Sequence, residues 1–343
     1  MSDKEFVTFK GRQYFVENGW LRLVEKGVSE IEELEGLHTL KSLLHLDLQM
    51  NAISRIEGLE RLTTLRSLYL AENNISRIEG LDQLKNLHHL FLQNNSIDEI
   101  RGLESVKNLR TLSLRDNKVS KISGLESLKQ LGTLRLDNNK LTKITGLDAL
   151  GNLHTLSLIE NQIRKIESLN RLRELKSLYL RSNSIEKIEG LNELENLEDL
   201  VLDRNKISRI EGLEKVVNLT GLSLAGNKIS KIEGLDTLTK LVDLDLSSND
   251  ISIIEGLENL HELVELFLYS NKIRRIPPLE GLKKLDYLWL TNNRLESVRD
   301  LKNTQNIAVF INDNPIAKEI EEICPNCIES DGCVSWSSLF RHL

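Results

Sequence analysis

Three cysteines and a histidine near the end of the chain are zinc-ligand residue types at Cys324-x2-Cys327-x5-Cys333-x8-His342. Thiolates and an imidazole can supply four tetrahedral ligands. One Cys-x-x-Cys without a second pair leaves two other readings open, an inert reduced tail and a disulfide or redox element. All three cysteines fall in the last 20 residues, so the body carries no disulfide framework. His88 and His89 adjoin no carboxylate at a catalytic spacing, and His45 lies too far along the chain to share a metal with them. There is no phosphate loop, nucleophile elbow or metalloprotease motif. The expectation is a chain that is not an enzyme, with no resident metal and no cofactor.

Binding chemistry is the stronger signal, and it depends on how the chain is organised. Of 343 residues, 67 are Leu, while aromatics are only 4%. A core of leucines with few rings implies many copies of one small packing unit. An asparagine recurs at Asn51, Asn73, Asn95, Asn117, Asn139, Asn161, Asn183, Asn205, Asn227, Asn249, Asn271 and Asn293, always 22 residues apart. Around it stands the pattern of Leu65, Leu68, Leu70, Asn73, Ile75, Ile78, Leu81 and Leu84. The Leu-x-Leu step has period two, so it reads as a short strand with leucine on one face. The Asn sits where the chain turns, and its amide can bond turn backbone in a stacked ladder. The return segment has apolar residues three apart, which suits 3₁₀ turns.

One copy offers about eight apolar side chains at roughly 2 kcal/mol each. Ordering its residues costs about 1.5 kcal/mol apiece, which is more. Only stacking on neighbours makes the unit stable. The predicted fold is α/β: a right-handed solenoid, or horseshoe, with a concave parallel β-sheet and a convex face of 3₁₀ turns and loops.

This pattern resembles the leucine-rich-repeat family over residues 20–316, and its Asn183–Leu191 form resembles the 22-residue class. That class includes a regulatory subunit of protein phosphatase-1. Leu288-Trp289-Leu290-Thr291-Asn292-Asn293 and Val309-Phe310-Ile311-Asn312-Asp313-Asn314-Pro315-Ile316 resemble that subunit's last two repeats, with Trp289 and Phe310 at contact-type positions. Phe267 and Tyr287 stand where the subunit has acids, and Val201 where it has an aromatic. The resemblance implies a protein partner, of which a Ser/Thr phosphatase is one candidate. A surface adhesion module of the bacterial 22-residue repeat type is the alternative.

Three segments are expected. Residues 1–24 read as an N-terminal β-hairpin cap, from alternating Phe6–Phe9 and Gln13–Val16 around Lys10-Gly11, then Asn18-Gly19. Residues 21–316 are the solenoid, with a degenerate first copy placing Lys26 in the Asn position, twelve regular copies and a shortened last one. Residues 315–343 are a helical cap and the Cys-bearing tail, with Pro315 at a first helical position.

The residues beside Leu-x-Leu form the concave surface. Aromatics are scarce, yet Phe267, Tyr269, Tyr287, Trp289 and Phe310 gather near the C-terminal end, with Tyr69, Phe91 and Tyr179 elsewhere on the same columns. Such rings are common interface anchors. Arg115, Arg135 and Arg181 stand with His88, His89, Arg110, His154 and Lys176 in a basic middle; Asp203, Asp245 and Glu265 stand in an acidic stretch with Glu198, Asp199, Asp243 and Asp286. That segregation can orient a protein partner. On the return side, Arg55, Arg77, Lys121, Lys143, Lys165, Lys187, Arg209, Lys231 and Arg275 run beside Glu57, Glu79, Glu167, Glu189, Glu211, Glu233 and Glu255, a solvated ion-pair lattice.

The net charge of -7 and the acids on the concave face argue against nucleic acid as a partner. No apolar run is long enough for a membrane helix. The start, Met1-Ser2-Asp3-Lys4-Glu5, lacks an apolar signal core. The expectation is a monomeric cytoplasmic protein, or a nuclear one in a eukaryote.

Overall fold

Each regular turn buries the same seven positions. Leu65, Leu68, Leu70, Ile75, Ile78, Leu81 and Leu84 are all at most 1% exposed. A computed structural model describes residues 5–304, 307–325 and 327–335. His342 of the tail pattern lies outside them.

The hairpin comes first. Strands β1 (Phe6–Phe9) and β2 (Arg12–Phe15) pair antiparallel through the Lys10-Gly11 turn. A second tight turn at Asn18-Gly19 bridges Glu17 to Trp20. The strand that follows, β3 (Trp20–Arg22), belongs to the parallel sheet and not to the hairpin. Three-residue parallel strands then recur: β4 (His45–Asp47), β5 (Ser67–Tyr69), β6 (His89–Phe91), β7 (Thr111–Ser113), β8 (Thr133–Arg135), β9 (Thr155–Ser157), β10 (Ser177–Tyr179), β11 (Asp199–Val201), β12 (Gly221–Ser223), β13 (Asp243–Asp245), β14 (Glu265–Phe267), β15 (Tyr287–Trp289) and β16 (Ala308–Phe310). The fold is a parallel-sheet solenoid, built of one strand and one return segment per turn.

Contacts divide the chain into two units, Met1–Ile163 with Glu167–Ser177, and Arg164–Ile166 with Leu178–Leu343. In the first, Trp20, His45, Ser67, His89, Thr111, Thr133 and Thr155 share one register column, and Arg22, Asp47, Tyr69, Phe91, Ser113, Arg135 and Ser157 the other. In the second, the columns run Asp199, Gly221, Asp243, Glu265, Tyr287, Ala308 and Val201, Ser223, Asp245, Phe267, Trp289, Phe310.

The asparagines hold the turns in register. Asn117 donates from Nδ2 to the carbonyls of Leu92, Leu114 and Arg115 at 2.9, 3.2 and 2.9 Å, and its Oδ1 accepts the Ile97 amide at 2.9 Å. That is the full capacity of a side-chain amide except one lone pair. In the degenerate first copy the Lys26 side chain takes no part; Lys26 and Val28 instead donate backbone amides to Asn51 Oδ1.

Return segments are isolated 3₁₀ turns, except for short 3₁₀ helices at Ile31–Glu33, Leu37–Thr39 and Val298–Thr304 near the two ends. Leu62 donates to Leu59 O at 2.9 Å and Leu65 to Leu62 O at 3.0 Å, the i→i+3 bonds of 3₁₀ turns. On their outer side Arg55 meets Glu79 at 3.9 Å, Lys165 meets Glu189 at 3.6 Å and Arg209 meets Glu233 at 3.0 Å. Ile253, 61% exposed, interrupts this basic column. At the C-terminal end α1 (Pro315–Ile323) starts on Pro315 and buries Ile316 and Ile320. Cys324 and Cys327 are joined in a disulfide, and Cys333 is a free thiol whose pKa is raised by burial and by Asp331 and Glu329. Among the described residues no cluster of His, Cys, Asp and Glu could hold a metal ion, and no helix is long and apolar enough to cross a membrane.

Candidate protein-binding faces of the sheet

On the exposed sheet face of the first unit the rings form a stack. Trp20 lies 4.4 Å from the His45 ring and 5.5 Å from Tyr69, and Tyr69 lies 4.8 Å from Phe91. The Arg22 guanidinium covers Trp20 at 4.4 Å. Trp20 falls within the expected 1–24 cap, and the structure pairs it with His45 in the parallel sheet. The register signal was present, because Trp20 precedes Leu21-x-Leu23 as His45 precedes Leu46-x-Leu48.

Histidines edge this stack. His45 Nδ1 is 2.9 Å from Ser67 Oγ, and His89 Nδ1 is 3.1 Å from Thr111 Oγ1. Burial lowers the pKa of His45, His88 and His89, helped by the positive charges of Arg66, Arg110 and Arg22 around His45 and His88, and of Arg110 beside His89.

Past Phe91 the stack gives way to a recess of about 370 Å³, lined by Phe91, Gln93, Thr111, Ser113, Arg115, Thr133 and Arg135. Arg115 Nε is 3.1 Å from Asp137 Oδ2. The other oxygen of Asp137 accepts from the Ser157 hydroxyl and, at 3.0 Å, from the Ile159 amide.

The second unit carries its own stack. Phe267 lies 5.8 Å from Trp289, and Trp289 stacks 3.7 Å from Phe310 with the rings almost parallel, at 4°. Phe310 is 7% exposed and packs its ring against Trp289 on the neighbouring strand. Tyr269 and Tyr287 remain exposed, at 37% and 41%. Trp289 Nε1 and Arg181 Nε are buried without a hydrogen-bond partner among the described residues. Tyr179 is half-buried on β10.

Acids occupy the neighbouring strands. Burial, with the negative charge of Asp199 two strands away adding, raises the pKa of Asp243. Burial also raises Asp245, with Asp203 adding and the Ser247 hydrogen bonds opposing. Asp203 is tied into the turn, accepting from the Ser223 hydroxyl and, at 3.1 Å, from the Ala225 amide. Glu265 is half-buried between Asp243 and Tyr287 in the register.

Sheet, asparagine ladder and half-exposed face together define a class, the repeat solenoids that present a parallel sheet to their surroundings. A family model described as leucine-rich repeats (2 copies) matches residues 63–105, 107–149, 173–215, 217–260 and 261–303. The chain belongs to the leucine-rich repeat family. It is similar to an internalin, inlF, from Listeria monocytogenes, with 30% identity and a TM-score of 0.76 over 85% of this chain and 86% of that one. A leucine-rich repeat protein from Leptospira interrogans is similar at 25% identity, with a TM-score of 0.62 over 88% and 93%. An octameric complex of Latrophilin 3, Unc5D and FLRT2 contains a similar chain at 20% identity, with a TM-score of 0.65 over 87% and 92%, which shows the fold alone. No curated protein sequence matches significantly. Leucine-rich repeat proteins generally act as protein-interaction scaffolds.

Proposed function

We propose that this chain is a non-enzymatic scaffold or regulatory subunit that holds a protein partner against the exposed face of its sheet. One observation carries the reading. In a chain only 4% aromatic, the rings stack along the sheet face as Trp20–Tyr69–Phe91 and Phe267–Trp289–Phe310. The core of the regular turns is leucine, isoleucine and valine and uses no rings. Pre-stacked aromatics lose little side-chain freedom on binding, which makes them efficient anchors. Basic groups on the first unit and acids on the second would orient the partner.

The scaffold is proposed to act as a monomer in the cytoplasm, without nucleic acid or membrane. A Ser/Thr phosphatase is one candidate partner, supported by Trp289 and Phe310 alone. Affinity purification from native cells tests the reading, comparing wild type with a Phe267→Ala/Trp289→Ala variant and a Tyr69→Ala/Phe91→Ala variant. Partners retained by wild type and lost from at least one variant support it; equal recovery by all three overturns it. The similarity to an internalin favours a second reading, a surface adhesion module, which cell fractionation would separate from the first by finding the protein at the cell surface.

A further inference from the structure

We infer that the recess of the first unit is a subsite for an acidic residue of a polypeptide, taking its carboxylate on Arg135 and Arg115 and a backbone N–H on Gln93. The inference rests on the scaffold reading and names the chemistry of part of the partner.

Charge comes first. The recess and its wall hold two guanidinium groups, of which Arg115 is already paired with Asp137 at 3.1 Å. Asp137 cannot swing away freely, because its second oxygen is held by Ser157 and the Ile159 amide. Arg135 forms no ion pair among the described residues, and it is exposed. The local sum of Arg115, Arg135 and Asp137 is a single positive charge. A monoanion neutralises it, whereas a dianionic phosphate leaves a negative charge beside Asp137. Arginine is also suited to a flat carboxylate, through two parallel N–H bonds.

Hydrogen bonding then separates a peptide from a small anion. Among the described residues none donates a hydrogen bond to Gln93 Oε1, which is buried. An unsatisfied buried acceptor is costly. A free carboxylate ion supplies acceptors only, so it cannot satisfy Gln93 and Arg135 together; hydrogen phosphate can donate its P–O–H, but as the dianion it brings the excess negative charge. An acidic residue within a chain carries both the carboxylate and amide hydrogens. The hydroxyls of Thr111, Ser113 and Thr133 line the remaining wall, and Phe91 gives it an apolar side continuous with the Tyr69 ring 4.8 Å away. A residue next to the acid would therefore rest an apolar side chain on Phe91.

The test is selection of a displayed random peptide library on immobilised full-length protein. Arg135→Gln is the control protein; the side chain is exposed and unpaired, so the fold should persist, and an unchanged melting curve confirms that it does. The expected result is enrichment of peptides sharing one Asp or Glu. Its replacement by Asn or Gln, or the Arg135→Gln change, should weaken binding about tenfold or more, as for a lost charge-assisted pair. Millimolar inorganic phosphate should not displace the peptides. The inference is overturned by enriched peptides that lack a shared acid, by equal binding to Arg135→Gln, by displacement with phosphate, or by no enrichment. Cellular partners that depend on Tyr69 and Phe91 but bind Arg135→Gln fully would sink this subsite and leave the scaffold reading intact.

Discussion

The side-chain oxygen of Asn117 accepts the backbone amide of Ile97, one turn earlier in the solenoid, at 2.9 Å. With three carbonyls bound to its Nδ2, this buried amide satisfies turn backbone from two repeats at once. Asn117→Ala would strand a buried N–H and several carbonyls. The expected loss is about 2–3 kcal/mol, given the cost of unpaired buried groups. It would be read as a lower urea midpoint, and an unchanged midpoint would mean that the ladder carries no stability. Asn117→Asp should be at least as damaging, since a carboxylate places charge against the same three carbonyls.

Gly102 shows why the return segment repeats its glycine. It has a φ of +68°, and an added Cβ would meet the carbonyl oxygen of Ile78 at 2.4 Å, a backbone atom that cannot move aside. Gly151 has nothing within 4 Å of its Cβ position. Gly102→Ala is expected to cost about 1–3 kcal/mol, from a strained backbone and a clash. Gly151→Ala should be neutral or slightly stabilising. Equal melting temperatures for the two variants would refute this account of the turn.

Acid should weaken the first unit through its histidines. Burial holds His45, His88 and His89 below the usual 6.5, so the folded state resists protons that the unfolded state accepts. Their contribution is fully present above 6.5 and is lost as pH falls through the lowered folded values. Asp243 and Asp245 act the other way, since their raised pKa values give stability that is present below 3.8 and lost as pH rises through the folded values. His89→Gln should therefore flatten the loss of stability below pH 6.5. Urea midpoints taken across that range check it; identical slopes in variant and wild type would contradict it.

The repeat was legible because each turn is nearly closed chemically. Leu-x-Leu, Asn and Ile-x-x-Ile fix strand, turn and return within 22 residues, and twelve copies make the register certain. The aromatic columns followed from it, so the Phe267–Trp289–Phe310 grouping could be read directly. What escaped depended on side-chain placement within the register. Trp20 was hidden in the hairpin signals before it, and the stack it begins appears only when β3 pairs with β4. Asp203 read as a surface charge, yet Ser223 and Ala225 bind it into the turn. The depth of Phe310, 7% exposed against Trp289, was likewise not legible. The recess was invisible, because it needs the lengths of Gln93, Arg115 and Arg135 around three short hydroxyl side chains.

The central claim is that the sheet face, and not the return side, holds the partner. Two residues of nearly equal exposure separate these, Tyr287 at 41% on β15 and Val217 at 42% on a return segment. A photocrosslinking amino acid placed at each position in native cells would compare them. Covalent partner adducts at position 287 with none at 217 are predicted. Adducts at 217 and none at 287 would contradict the account.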